Sequence, residues 1–213
     1  MSQEKPILYT YFRSSCSARV RIALAWKGID YDSKPIHLVK GEQTSSEYLE
    51  INPLGEVPSL VFKGEILTQS LAILEFIEEI YPQSPLLPKD PINRAHVRAI
   101  AQMIAVDIQP VQNLRVLQKV GDEKKGEWGK HWITNGFKGL EKHLKKVSGK
   151  YCFGDEVTFA DLCLYPQVYN AERFQVDMSE FPTIQKIYSE LSGLEAFQQG
   201  DWKNQADCPP DLK

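Results

Sequence analysis

Four prolines within ten residues, Pro82, Pro85, Pro88 and Pro91, cut this chain of 213 residues into two parts of different texture. Proline lacks a backbone donor and stops a helix from continuing, so the run reads as a linker. Before it, short apolar runs alternate with helical stretches. A strand is predicted near 7–11 and a helix over 15–27, closed by Gly28. A short strand over 30–36 and a brief helix over 45–50 come next. A hairpin of 57–61 with 64–67 turns at Lys63-Gly64. A helix over 69–81 follows, with apolar Leu71, Leu74, Ile77 and Ile80 near helical spacing. The order βαβ, α, ββα predicts a compact α/β layer with a right-handed crossover.

The rest reads as helical. Pro91 suits a first-turn position, and a helix from there is expected to run to about 119 with a kink at Pro110. A second is expected over 124–147, where Gly126, Gly129, Gly136 and Gly139 mark close packing or irregularity. Thr158 and Asp161 are spaced as a reciprocal capping box opening a third. Another follows Pro182. The polar tail after Trp202 is expected to be poorly ordered. Residues 1–82 are thus read as one domain, 83–91 as linker and 92–213 as an all-helical domain.

Bulk properties exclude several functions. Net charge is −3, so no global basic field favours nucleic acid or an acidic membrane. No apolar run approaches the roughly 20 residues that span a bilayer, and residues 1–6 show no leader pattern. Cys16, Cys152, Cys163 and Cys208 are scattered without a C-x-x-C pair, which fits a reducing cytoplasm. Cys152 and Cys163 read as small core residues. His37, His96, His131 and His143 have no metal-ligand spacing, and no metal is expected.

The chemistry gathers at Arg13-Ser14-Ser15-Cys16-Ser17, where the first strand hands over to the first helix. The first N–H groups of a helix lack internal partners and the dipole is positive there, so the junction can hold an anion. A thiolate is such an anion, whether it is Cys16 or a bound thiol. A free thiol titrates near ~8.5. Lowering it by about two units needs roughly 2.7 kcal/mol. A hydrogen bond to a charged group offers ~1.5–3 kcal/mol and a helix start ~0.3–2. A hydroxyl at a helix start therefore suffices. Ser14 reads equally as a helix cap. Gln69-Ser70 at the later helix start can hold a carboxylate or merely cap. Gln109 and Asn113, four apart, are expected to share one helical face, towards a ligand, a partner or solvent. Arg19 and Arg21 lie about 200° apart on a helix, so both cannot face one site.

These motifs together resemble the cytosolic glutathione transferases over nearly the full length: a thioredoxin-like α/β domain followed by an all-α domain. Val57-Pro58 stands where the family has a cis-proline, Gln69-Ser70 where it binds the γ-glutamyl carboxylate, and Thr158–Asp161 where it has its capping box. The stretches 14–24, 108–114, 161–164 and 170–174 are similar to the zeta class, the maleylacetoacetate isomerases. The resemblance implies glutathione as cofactor, held by Ser14, Ser15, Cys16, Ser17, Arg19, Gln43, Val57, Gln69, Ser70, Gln109, Asn113, Leu114 and Arg115. It implies catalysis by Ser14, with Ser15 and Cys16 assisting, and a dicarboxylate substrate met by Arg13 and Arg173. It also implies a homodimer through the 69–81 and 91–119 helices. An omega-type thiol transferase using Cys16 and a non-enzymatic binding module are the alternatives. The chain departs from the zeta pattern at Ala18, where tryptophan is usual, at Trp26, usually aliphatic, in a shorter 40–44 segment, and at Arg115, where a small polar residue is usual.

Overall fold

The computed structural model describes residues 5–212. Residues 1–4, part of the stretch read as lacking a leader, lie outside them. The chain forms two compact units, one of Met1–Ser84 with Glu195–Lys213 and one of Pro85–Leu194. No helix among the described residues is long and apolar enough to cross a membrane.

The first unit is built as the order of elements predicts. Strands β1 (Ile7–Thr10), β2 (Asp32–Pro35), β3 (Ser59–Phe62) and β4 (Glu65–Thr68) form one sheet in the order β2-β1-β3-β4. β1 runs parallel to β2 and antiparallel to β3. The β3–β4 hairpin turns at Lys63 and Gly64, whose φ angles of 52° and 81° are those a two-residue type I′ turn needs. Helices α1 (Ser15–Trp26), α2 (Ser46–Ile51) and α3 (Ser70–Ile80) complete the layer. Gly28 ends α1 with φ 66°: its N–H donates to Ala25 O and the Ile29 N–H to Leu24 O. Lys27 Nζ lies 2.6 Å from Glu78 Oε2 on α3 in a buried pair, and the same ammonium also donates to the Tyr81 and Gln83 carbonyls.

The tail departs from expectation. Helix α9 (Glu195–Gly200) packs on α1, and the residues after it pack on Tyr11 and Phe12 just beyond β1, so the C-terminal stretch belongs to the α/β unit and is ordered. Cys208 is buried with Tyr11, Phe12, Tyr48 and Val57, and Trp202 packs against that cluster. The polar composition had concealed these two apolar anchors. A Cβ at Gly200 would stand 2.3 Å from Ile22 Cγ1 and 3.0 Å from the Ile22 nitrogen, so only glycine permits the approach of α9 to α1.

The second unit is helical. Its centre is α7 (Phe159–Arg173), buried without interruption from Phe159 to Ala171. The expected capping box opens it. Asp161 is its hub, accepting from Cys152 N at 2.8 Å and from Thr158 N and Oγ1 at 2.8 and 2.9 Å. Around it stand α4 (Pro91–Gln102), α5 (Leu114–Val120), α6 (Lys125–Val147) and α8 (Pro182–Ser192). Gly129 and Gly136 on α6 let Phe174 and Ile108 approach within 2.5 and 2.4 Å of where a Cβ would be, whereas Gly126 and Gly139 face open space.

The long helix expected over 91–119 is broken. Pro110 has no N–H to bond back and its ring crowds the preceding turn. The chain answers upstream: residues Met103–Ile108 adopt π-helical geometry and the Gln109 N–H reaches Ile104 O. A short 3-10 turn, Pro110–Gln112, follows, and α5 restarts with Asn113 as its cap.

Helix α8 borrows its cap from α6. Glu141, 4% exposed, accepts from Thr183 N and Ile184 N at 3.0 Å each. Burial alone would push this carboxyl up, but the hydrogen bonds from Thr183 and Ile184 outweigh it and the net shift is downward from 4.5. A depressed carboxylate stabilises the fold above its unfolded pKa and loses that contribution as pH falls through its folded pKa. Glu141→Gln should therefore cost about 1–3 kcal/mol at neutral pH. The difference in melting temperature between the two proteins should shrink as pH drops below 4.5.

Candidate active site

Strand register brings three loops to one edge. Tyr9 pairs with Ser59, and Ser59 with Thr68. The residues after β1, before β3 and after β4 therefore sit at the same end of adjacent strands. This gathers Ser14–Ser17, Val57, Gln69 and Ser70, the grouping that the family resemblance implies. Val57-Pro58 is a cis peptide.

Ser14 is the N-cap of α1. Its Oγ accepts from the Ser17 N–H at 3.1 Å, and its own N–H donates to Tyr11 O at 2.9 Å. The capping and chemical readings are therefore compatible. A hydroxyl has one proton to give besides its lone pairs, and here a lone pair does the capping while the proton stays available. Ser14 and Cys16 are half-buried and accessible, whereas Ser15 and Ser17 are buried. Arg13 is half-buried beside them.

Arg19 is 1% exposed, and its Nη1 donates to Ser70 Oγ at 3.0 Å. Its Nε and Nη2 have no hydrogen-bond partner among the described residues. A guanidinium buried without a carboxylate is costly. It sits under Ser70, the first residue of α3, where the dipole is also positive. Gln69, the residue before, holds φ 68° and ψ 111°, a strained backbone for a side chain with a Cβ. It immediately precedes α3, whose start lies at the same sheet end as Ser14. Arg21 points elsewhere, to the carbonyls of Tyr11, Phe12 and Gly200, so the two arginines diverge as their spacing requires.

Gln43 sits in a 3-10 turn, Glu42–Thr44, next to Gly55. Its buried Oε1 lacks a partner among the described residues. Two braces of the Val57 loop escaped the sequence reading. Tyr48 Oη donates to Glu56 O at 2.6 Å, and Asn52 Nδ2 to the same oxygen at 2.8 Å. An aromatic and an amide just ahead of a Pro-Leu-Gly loop were the signal.

In the helical unit, Gln109 and Asn113 do not share a helical face. The break at Pro110 leaves Gln109 buried, while Asn113, extended at ψ 151°, caps α5 by accepting from the Arg115 N–H at 3.3 Å. Leu114 is half-buried and Arg115 exposed. Trp128 Nε1 donates to Val111 O at 2.7 Å, and Gly129 beside it receives Phe174, the neighbour of Arg173. One turn of α6 thus supports both the 109–115 segment and the end of α7. Arg173 is exposed and lies over the Phe174 ring at 5.3 Å. Cys152 and Cys163 are fully buried core residues, and burial pushes the Cys152 thiol well up.

A four-stranded mixed sheet with a cis-proline, a serine-capped first helix and a separate helical unit define the architecture of a glutathione transferase. The N-terminal domain of glutathione S-transferase matches residues 4–79 and a C-terminal domain of the same enzymes matches residues 112–199. The chain belongs to the glutathione S-transferase family, within its zeta class. It is 54% identical to the maleylacetoacetate isomerase of Mus musculus over 100% of both chains. A bacterial maleyl pyruvate isomerase of the zeta class superposes with a TM-score of 0.92 at 38% identity, covering 95% of this chain and 100% of that one. The maleylacetoacetate isomerase of Anaeromyxobacter dehalogenans, with dicarboxyethyl glutathione and citrate bound in its active site, gives 0.89 at 36% identity, covering 99% and 100%.

Proposed function

We propose that this chain is a glutathione-dependent maleylacetoacetate isomerase, turning maleylacetoacetate into fumarylacetoacetate in tyrosine and phenylalanine breakdown. Transfer of glutathione to small α-haloacids would be a secondary activity. The observation that carries the reading is Ser14, whose hydroxyl caps α1 through a lone pair and keeps its proton to give.

The residues fit glutathione. The buried Arg19 beneath Ser70, its Nε and Nη2 without a hydrogen-bond partner among the described residues, calls for an anion, and the Gln43 Oε1, likewise orphaned, calls for a donor. The tripeptide carries both, in its γ-glutamyl carboxylate and its ammonium and amide N–H groups. When bound, glutathione would supply a thiolate whose reversible addition to the cis double bond permits rotation about it, and it would be returned unchanged. Ser14 donates its proton as a hydrogen bond to that sulfur, and the first-turn N–H groups of Ser15 and Cys16 add positive potential. Gln69 and Ser70 hold the carboxylate, backed by Arg19. Val57, through its backbone, and Ser17 complete the cofactor site, to which we also assign Gln109, Asn113, Leu114 and Arg115. Arg13 and Arg173 are assigned to the substrate carboxylates.

The second copy implied by the family is assigned to α3 and α4, near which Ile80, Ile92 and Val106 are exposed apolar residues. Four scattered cysteines without a C-x-x-C pair suit the cytoplasm. The test is a direct isomerisation assay with glutathione and either maleylacetoacetate or maleylpyruvate. Cys16→Ala should keep most of the turnover. Loss of nearly all of it would favour a thiol transferase, and glutathione binding without any turnover would favour a binding module.

A further inference from the structure

The loop that carries Ser14 is held by the far end of the chain. The Phe12 N–H donates to Asp207 Oδ2 at 2.9 Å, across 195 residues. The carbonyl of the same residue accepts from Arg21 Nη2 at 3.1 Å. Arg21, 1% exposed, also donates through Nη1 to Thr10 Oγ1 at 2.9 Å and Tyr11 O at 3.2 Å, and through Nε to Gly200 O at 3.1 Å. Tyr11 O in turn receives the Ser14 N–H. Both peptide groups of Phe12 are therefore clamped by a charged side chain, a carboxylate on the N–H side and a guanidinium on the C=O side. Charge-assisted hydrogen bonds are about twice as strong as neutral ones.

We propose that Asp207 is a positioning residue for Ser14. Its carboxylate, delivered by the segment that follows α9, fixes the Phe12 peptide and so the path of residues 12–14. That path decides whether Ser14 Oγ caps α1 with its proton directed outward. The contact is specific: one half-buried carboxylate meets one main-chain donor, two residues before the serine. The packing of Trp202 and Cys208 on Tyr11 and Phe12 seats the segment, and Asp207 supplies the directional bond. The proposal rests on the reading of Ser14 as donor to the glutathione sulfur.

The test is titration of thiolate ultraviolet absorbance in the full chain saturated with glutathione, alongside kcat and KM. Asp207→Ala should raise the apparent thiol pKa by about half to one unit. It should lower kcat about 5- to 20-fold, with KM for glutathione changed much less, because a small misplacement at a reacting centre acts on the transition state. Asp207→Asn, which keeps an acceptor oxygen, should restore most of both. Lowered thermal stability with an unmoved thiol pKa would overturn the proposal, since the contact would then be structural only. Should Asp207→Ala not fold, Asp207→Leu, which keeps the volume and removes the acceptor, takes its place, and failure of both to fold also counts against it. If Ser14→Ala itself leaves the thiol pKa unmoved, the reading of Ser14 fails instead. If Ser14→Ala moves it and Asp207→Ala does not, only the positioning role falls.

Discussion

Ser14→Ala is expected to lower isomerase turnover about 10- to 100-fold, because a hydrogen bond to a charged group is worth ~1.5–3 kcal/mol and each 1.36 kcal/mol is a factor of ten. The bound thiol should titrate about one to two units higher, and the pH–rate curve should move to alkaline pH by the same amount. The variant also loses a helix cap, worth about 1 kcal/mol, so stability alone would not separate the two effects. Ser14→Asp separates them. Aspartate still accepts from the Ser17 N–H and caps α1, but its ionised carboxylate has no proton to offer. The melting temperature should hold while the thiol pKa rises at least as far as in the alanine variant. A thiol pKa unchanged in both would remove Ser14 from the chemistry.

Arg19→Met is expected to move two measurements in opposite directions. The guanidinium is buried, bonded only through Nη1 to Ser70 Oγ, with Nε and Nη2 unsatisfied among the described residues. Replacing a poorly compensated buried charge with an apolar side chain of similar volume is commonly neutral or stabilising by ~1–4 kcal/mol. The ligand-free protein should therefore melt at the same temperature or higher. Glutathione should bind about 10- to 100-fold more weakly, because the carboxylate at Ser70 loses a charge-assisted partner worth ~1.5–3 kcal/mol. Calorimetric titration and a thermal scan of the same sample decide it. A fall in melting temperature together with unchanged binding would make Arg19 a structural residue.

What could be read from the sequence was governed by local rules. Gly28 closes α1, Lys63-Gly64 turns the hairpin and Thr158–Asp161 opens α7 because each depends on neighbours within four or five residues. The convergence of Ser14, Val57 and Ser70 came from the family resemblance and not from any local rule; the strand register is what brings it about. The break around Pro110 was legible in place and not in extent. The proline was plain, but the π-helical relaxation it causes begins at Met103, before the offending residue. Gln109 and Asn113 were misjudged for that reason. Long-range satisfaction was invisible. Nothing near Arg19 marks it as buried, and nothing near Asp207 marks it as the acceptor for Phe12. The tail was misread because two apolar side chains, Trp202 and Cys208, anchor a run whose average composition is polar. Glycine supplied the missed clue at position 200.

That glycine opposes two rules. In a helix, alanine in place of glycine is ordinarily favourable by about 0.8–1 kcal/mol. Here the added methyl would act as a wedge against the main chain of Ile22, and overpacking costs about 1–3 kcal/mol. Stabilisation schemes that score each helical position on intrinsic preference would select this exchange, and it would prise the C-terminal segment away from the strand end it braces.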